Sequence, residues 1–273
     1  MSRGRVVVVG GGPAGSGTAW RLASAGAEVV VLDRARFPRD KACAEYLNPE
    51  CVRLLRSMGA LEAVERAGAV PLDGMIVRSP SGTRIHGEFA SAADRDGPRG
   101  RGLALRRTRL DAILLDHARA AGAEVREGVR VTDVVTDDRG RVRGVRVLRD
   151  GGEEVLRADL VIGADGLRSV VARRLGVHGR ARLPHRIAMV AHFRGVRGIG
   201  QAGEMHVERD GYCGLAEVGG GESCLSLVVP ARRARELAGD PGGFLERWVA
   251  ARPHLAPRYR DAERVGRVLA TGP

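Results

Sequence analysis

An α/β fold, with a parallel-sheet domain interleaved with a β-rich (α+β) domain, is expected from three features of the chain. First, the β-branched run Arg5–Val9 leads into glycines, and a helical segment, Pro13–Ala25, separates it from a second apolar run, Glu28–Leu32. Strands buried on both faces of a parallel sheet read as such continuous apolar runs, and the crossover joining them is right-handed. Second, a third run of this kind, Asp159–Gly163, returns far down the chain. Third, from Arg186 onward the pattern changes. Ile187–Phe193, Glu204–Glu208, Tyr212–Val218 and Ser223–Val229 alternate like antiparallel strands with glycine-rich connections.

The remaining elements follow in order. Gly26 ends the first helix, as glycine does at helix C-termini. Arg34–Leu47 is a polar loop, and Pro49–Met58 and Leu61–Ala67 are helices separated by Gly59. Gly74–Arg78 and Thr83–Phe89 form a hairpin about Pro80-Ser81-Gly82. Ser91–Gly102 is expected as a mobile polar loop, Leu103–Arg106 as a short strand and Arg109–Ala121 as a helix. Glu124–Gly128 and Val129–Thr136 are extended, and Asp137-Asp138-Arg139-Gly140 turns the chain into Val142–Arg149. Leu167–Leu175 and Gly242–Ala251 read as helices, and Arg264–Leu269 as a last strand.

A chain of 273 residues can bury a sizeable core, and with only 3% aromatics that core is built from Val, Leu, Ala and Ile. The net charge of +12 rests on arginine, since Lys41 is the only lysine. The arginines are scattered and no aromatic-studded basic stripe exists, so nucleic acid is not an expected partner. Cys43, Cys51, Cys213 and Cys224 form no C-x-x-C pair and no His stands at ligand spacing, so no metal site is expected. The first apolar run is too short for a signal peptide and no stretch reaches bilayer length. A cytoplasmic protein with reduced thiols is the expectation.

Gly10-x-Gly12-x-x-Gly15 sits between the first strand and first helix. In the dinucleotide fingerprint the first glycine allows the turn, the second admits the pyrophosphate and the third lets helix and strand pack closely. The free N–H groups at the helix start, near Pro13 and Ala14, favour the phosphate charge. Asp33 closes the second strand, where it would accept hydrogen bonds from ribose hydroxyls. The loop by itself does not separate FAD from NAD.

Three later segments resemble the FAD-dependent oxidoreductases of the para-hydroxybenzoate hydroxylase-like group, which includes flavoprotein monooxygenases, flavin-dependent halogenases and geranylgeranyl reductases. Asp33 through Pro49, with Arg34, Cys43, Glu45 and Tyr46, looks like the geranylgeranyl-reductase loop. That loop usually has Cys-Gly-Glu before the aromatic residue and Ser-Pro after it; here Ala44 and Asn48 replace the Gly and Ser. Arg107-Thr108-Arg109-Leu110-Asp111 resembles the family's R-x-x-L-D, whose arginine contacts the cofactor. Gly163-Ala164-Asp165-Gly166 looks like its D-G motif, which would place Asp165 and Gly166 near the ribose and pyrophosphate; a capping Asp is the plainer alternative.

The resemblance implies a Rossmann-like FAD-binding domain from 1–70 and 99–180, and a substrate domain from 71–98 and 181–273. It implies FAD as cofactor, NAD(P)H as electron donor and an apolar or aromatic small-molecule substrate. The cofactor-contact set it implies is Gly10, Gly12, Pro13, Ala14, Gly15, Asp33, Arg34, Cys43, Glu45, Arg107, Asp165 and Gly166. Cys43 is a candidate to touch the ring or donate a proton, or else a packed small residue; Glu45 contacts the cofactor or caps the helix near Pro49. Arg39 and Lys41 either attract NAD(P)H phosphates or are solvated. His86, His192 and His206 are lining or core, and Tyr212 faces the substrate region in relatives. The Trp–Phe-Pro signature of some reductases and the halogenase Trp-x-Trp-x-Ile-Pro are both absent. A Gly-Asp segment expected after the last strand is also absent, so the chain reads as C-terminally shortened. Rival readings are a non-catalytic or subunit-dependent dinucleotide-binding protein and an NAD-linked dehydrogenase without flavin.

Overall fold

The computed structural model describes residues 4–89, 100–179 and 185–272. In chain order the first elements are β1 (Arg5–Val9), α1 (Pro13–Ser24), β2 (Glu28–Asp33), β3 (Tyr46–Leu47), α2 (Pro49–Ser57) and α3 (Leu61–Arg66). Next come β4 (Val70–Leu72), β5 (Gly74–Arg78), β6 (Arg84–Glu88), β7 (Gly102–Ala104) and α4 (Arg107–Ala120). Then follow β8 (Glu124–Glu127), β9 (Arg130–Thr136), β10 (Val142–Arg149), β11 (Gly152–Arg157), β12 (Leu160–Gly163) and α5 (Val170–Arg174). The last stretch holds β13 (Arg186–Arg194), β14 (Ala202–Glu208), β15 (Gly211–Glu217), β16 (Glu222–Pro230), α6 (Ala234–Leu237), α7 (Pro241–Ala250), α8 (Ala256–Tyr259) and β17 (Glu263–Thr271). The expected polar loop Ser91–Gly102 falls mostly outside the described residues.

Two compact units emerge, Met1–Arg39 with Thr108–Arg180, and Asp40–Arg107 with Ala181–Pro273. Residues 40–70 and 100–107 thus group with the β-rich unit, whereas the sequence motifs grouped them with the nucleotide-binding part. The physical reason is a small three-stranded sheet, β3-β7-β4, that no periodicity marks because its strands are two or three residues long. Its Leu72 and Ala104 bury against Val190, Ala216 and Cys224 of the large sheet.

In the first unit, β12-β1-β2-β8 is a parallel sheet, with Val7 opposite both Val30 and Val161. Successive side chains of a strand point to opposite faces, and both faces are buried here. Val6, Val8, Val29 and Val31 pack on Ala19 and Ala23 of α1 and on Leu115 and Ala118 of α4. Val7, Val9, Val30 and Leu32 pack on Val129 and on Val131, Val145, Val147 and Leu156 of the antiparallel sheet β11-β10-β9. That double burial explains the unbroken valine runs.

The second unit is built on the sheet β17-β13-β16-β15-β14-β5-β6. It is antiparallel except where β14 runs parallel to β5, which attaches the hairpin. One face, carrying Met189, Ala191, Phe193, Leu225 and Leu227, packs on Phe244, Leu245, Trp248 and Val249 of α7. The alternate residues Val190 and Cys224 face the small sheet.

Candidate functional site

In the first unit the glycine loop is shaped by two contacts and left open at a third. Gly10 has φ +103, and a Cβ there would stand 2.4 Å from the Ala164 carbonyl oxygen. A Cβ on Gly15 would lie 1.7 Å from the Gly10 carbonyl oxygen. Both positions need glycine for packing alone. Gly12 does not: its φ of −74 suits any residue, and a Cβ would meet only Arg39 Nη2, at 3.5 Å. Gly12 is also the N-cap of α1, with no side-chain cap, Pro13 after it and no acidic residue in the first turn. The leading N–H groups and the positive dipole end are thereby left for an anion.

Asp33 is nearly buried, and its carboxylate braces this loop. Oδ2 accepts the Gly11 N–H at 2.7 Å and Oδ1 the Ala35 N–H at 2.8 Å. Each oxygen retains accepting capacity for a ribose hydroxyl. Arg34 beside it is exposed. Arg39, weighed from sequence as surface charge, is instead largely enclosed. Its Nη1 stands 3.0 Å from Asp111 Oδ2, a carboxylate with no exposed side-chain surface, and its guanidinium stacks 4.7 Å above Phe37. It therefore holds a fixed positive charge beside Gly12. The signal available in sequence was Phe37-Pro38-Arg39 directly downstream of the acidic residue.

Asp165 braces the start of α5, whose N-cap is Ser169. Its Oδ1 accepts the Ser169 hydroxyl at 2.6 Å and its Oδ2 the Val170 N–H at 2.5 Å, holding the start of α5. Gly166 adopts φ +77, with open space where a Cβ would stand.

In the second unit, Cys43, Glu45 and Arg107 come together. Glu45 Oε1 accepts the Arg107 N–H at 2.8 Å, and the Glu45 carbonyl accepts the Leu105 N–H at 3.1 Å. Glu45 therefore caps α4. The cap of α2 near Pro49, the alternative weighed for Glu45, comes from Asn48, whose Oδ1 accepts the Cys51 N–H at 2.8 Å. Asn48 thus caps α2. The left-handed turn of this loop falls on Glu45, at φ +60, so Ala44 does not need glycine's freedom.

Glu45 Oε2 meets His192 Nε2 at 2.7 Å, a link that sequence reading missed. Cys43 Sγ accepts the Glu45 N–H at 3.4 Å, and the Cys224 thiol donates to the Cys43 carbonyl at 3.7 Å. Burial, with Glu45 and Cys43 adding to it, pushes the Cys224 thiol well above its ordinary pKa. Ligand-type atoms of Glu45, His192 and Cys224 lie within 4.8 Å of one another. The carboxylate and imidazole already satisfy each other there, and the thiol is held protonated, so the cluster works as an anchor.

The other buried histidine, His206, also pairs with a carboxylate, Glu204, at 2.8 Å, and Arg258 bonds both Glu204 oxygens. Burial would raise the Glu204 carboxyl, but Arg258 and His206 outweigh it and hold it at about 2. His254 stacks on His206 at 5.2 Å, and burial together with Arg78 and His206 pulls it down to about 4. Separately, a cavity of about 310 Å³ is lined by Phe193, Leu245, Val249, Tyr259 and Arg264.

Comparison with known proteins matches residues 3–197 to the FAD binding domain family. Digeranylgeranylglycerophospholipid reductase of Methanosarcina mazei is 36% identical over 174 residues, covering 63% of this chain and 40% of that protein. Menaquinone reductase of Mycolicibacterium smegmatis is 40% identical over 183 residues, covering 64% of this chain and 40% of that protein. The chain matches about two fifths of the length of these relatives. Among solved structures, the flavin-dependent halogenase CmlS superposes with a TM-score of 0.89 at 26% identity, over 100% of this chain and 50% of that one. A geranylgeranyl bacteriochlorophyll reductase-like protein from Thermoplasma acidophilum has a TM-score of 0.81 at 22% identity, over 98% and 66% of the two chains, and shares the fold.

Proposed function

Because the chain belongs to the FAD binding domain family, we propose that it is the FAD-holding part of an NAD(P)H-linked flavoprotein reductase acting on an apolar, isoprenoid-bearing substrate. The observation that carries the cofactor assignment is the loop at Gly12. Packing accounts for Gly10 and Gly15, whereas the open face of Gly12, above an uncapped helix start and beside Arg39, fits a pyrophosphate. Asp33 would hold the ribose, with Gly11 and Ala35 fixing its carboxylate. Arg34, Cys43, Arg107, Asp165 and Gly166 complete the proposed contacts, and Glu45 acts on them through its backbone turn. Bound FAD supplies a hydride-accepting centre that the twenty side chains lack.

The substrate class rests on the relatives. The two curated proteins are named for reduction of a digeranylgeranyl lipid and of menaquinone. Cys43, half-buried, is the proposed proton donor, since the burial that raises the Cys224 thiol makes Cys224 a poor acid. Oxygen-dependent attack on an aromatic substrate is the second reading, favoured by the superposition on the halogenase. The test is anaerobic oxidation of NADPH or NADH by FAD-loaded protein with menaquinone or a geranylgeranyl lipid. Reduction of the added substrate without oxygen supports the reductase reading. Turnover only with oxygen and an aromatic substrate replaces it with the second. None of the described helices is long and apolar enough to cross a membrane.

A further inference from the structure

His192 and Glu45 are 147 residues apart in sequence, yet their side chains, 4% and 3% exposed, meet at 2.7 Å. Glu45 needs an anchor. It is a non-glycine residue at φ +60, and such a residue stays left-handed only where its surroundings over-determine it. The surroundings are its two carboxylate bonds, to His192 and to the Arg107 N–H, and the Leu105 N–H on its carbonyl. His192 is itself fixed. It sits in β13 opposite Cys224 of β16, in a nine-residue register with no slip. One imidazole in the large sheet therefore grips one end of a carboxylate whose other end caps α4 at Arg107. The same residue sets the turn that carries Cys43.

We propose that His192 is a positioning residue for the cofactor loop: through Glu45 it sets the turn at Cys43 and the start of the helix at Arg107. The cofactor part of this inference rests on the FAD reading above; the loop-setting part stands on the geometry alone. A merely space-filling histidine would tolerate any replacement that keeps the sheet packed. A positioning histidine requires a donor at the place of its Nε2.

The test uses the whole chain and the variants His192→Gln, His192→Leu and His192→Asn. Glutamine places an amide donor at similar reach, leucine fills the volume without a donor, and asparagine carries a donor that stops short. Amide exchange is followed by NMR in the FAD-free protein at Leu105 and Arg107, with Leu227 in the large sheet as reference. We expect about tenfold faster exchange at Leu105 and Arg107 in the leucine and asparagine variants, unchanged exchange at Leu227, and near wild-type exchange in the glutamine variant. FAD titration should follow the same order, with about tenfold weaker binding and a displaced visible flavin band for leucine and asparagine, both restored by glutamine. Wild-type exchange at Leu105 and Arg107 in both the leucine and asparagine variants would overturn the proposal, as would equal loss in all three. Wild-type protein that ignores FAD while exchange follows the expected order would remove the FAD reading and leave the loop anchor standing.

Discussion

Replacing Gly12 and Gly15 separately by alanine divides the roles of the loop between ligand and fold. Gly12→Ala places a Cβ 3.5 Å from Arg39 Nη2, an ordinary contact, on a backbone at φ −74. Reduced freedom of the unfolded chain adds about 0.4–1 kcal/mol of stability, and a poorer N-cap residue costs a similar amount. The net is close to zero, and the melting temperature without FAD should move by less than about 3 °C. The same Cβ occupies the face proposed for the pyrophosphate. Losing one or two hydrogen bonds to a charged group, at about 1.5–3 kcal/mol each, weakens FAD binding by at least about tenfold. Gly15→Ala behaves oppositely. Helix propensity favours alanine by about 1 kcal/mol, but its Cβ would overlap the Gly10 carbonyl at 1.7 Å. Backbone displacement costs about 2 kcal/mol or more net, a fall of at least about 4 °C without any ligand. Differential scanning fluorimetry of the FAD-free proteins and flavin-fluorescence titration read the two quantities. Gly12→Ala melting as low as Gly15→Ala, or binding FAD as wild type does, would overturn this division of roles.

Three further outcomes follow from the same geometry. Arg39→Ala removes one ion-pair partner of the fully buried Asp111; chemical denaturation should show a loss of stability, and FAD binding should weaken as well. Glu204, with its carboxyl lowered from 4.5 to about 2, contributes stability that is complete above pH 4.5 and lost as pH falls toward 2. The contribution is about 3 kcal/mol, so Glu204→Gln should flatten the acid limb of a stability–pH curve, and an unchanged limb would count against the Arg258 and His206 assignment. His254, lowered to about 4, acts in the same direction between pH 6.5 and 4. Asp165→Ala removes the carboxylate that holds the Ser169 N-cap hydroxyl and the Val170 N–H at the start of α5 and should cost about 1 kcal/mol in a urea titration, with weaker FAD binding added if Asp165 also meets the cofactor.

The parallel core was legible because β1 and β2 are buried on both faces, so their residues had to be apolar throughout. The glycine loop was legible because backbone collisions at Gly10 and Gly15 leave no choice of residue. β11, Gly152–Arg157, was not: it buries only Leu156 and carries charge elsewhere, so no alternation stood out. β3 and β4 were missed because two- and three-residue strands have no period. The parallel join of β14 to β5 depends on a pairing between residues more than a hundred positions apart, which local pattern does not encode. The same distance hid the Glu45–His192 link. Each residue read alone as a loop carboxylate and a strand histidine, and only the folded register of β13 brings them within a hydrogen bond. Arg39 read as solvated because its partner, Asp111, lies on a helix far down the chain.

The central claim, that the loop at Gly12 holds the pyrophosphate of FAD, meets its most direct test in a titration of the purified chain with FAD, ADP and NADH, followed by flavin fluorescence and calorimetry. Saturable one-to-one FAD binding is expected, with competition by ADP for the loop and loss of both on Gly12→Ala with the fold intact. Saturable FAD binding that Gly12→Ala leaves unchanged, or NADH taken up at the loop in preference to FAD, would contradict it.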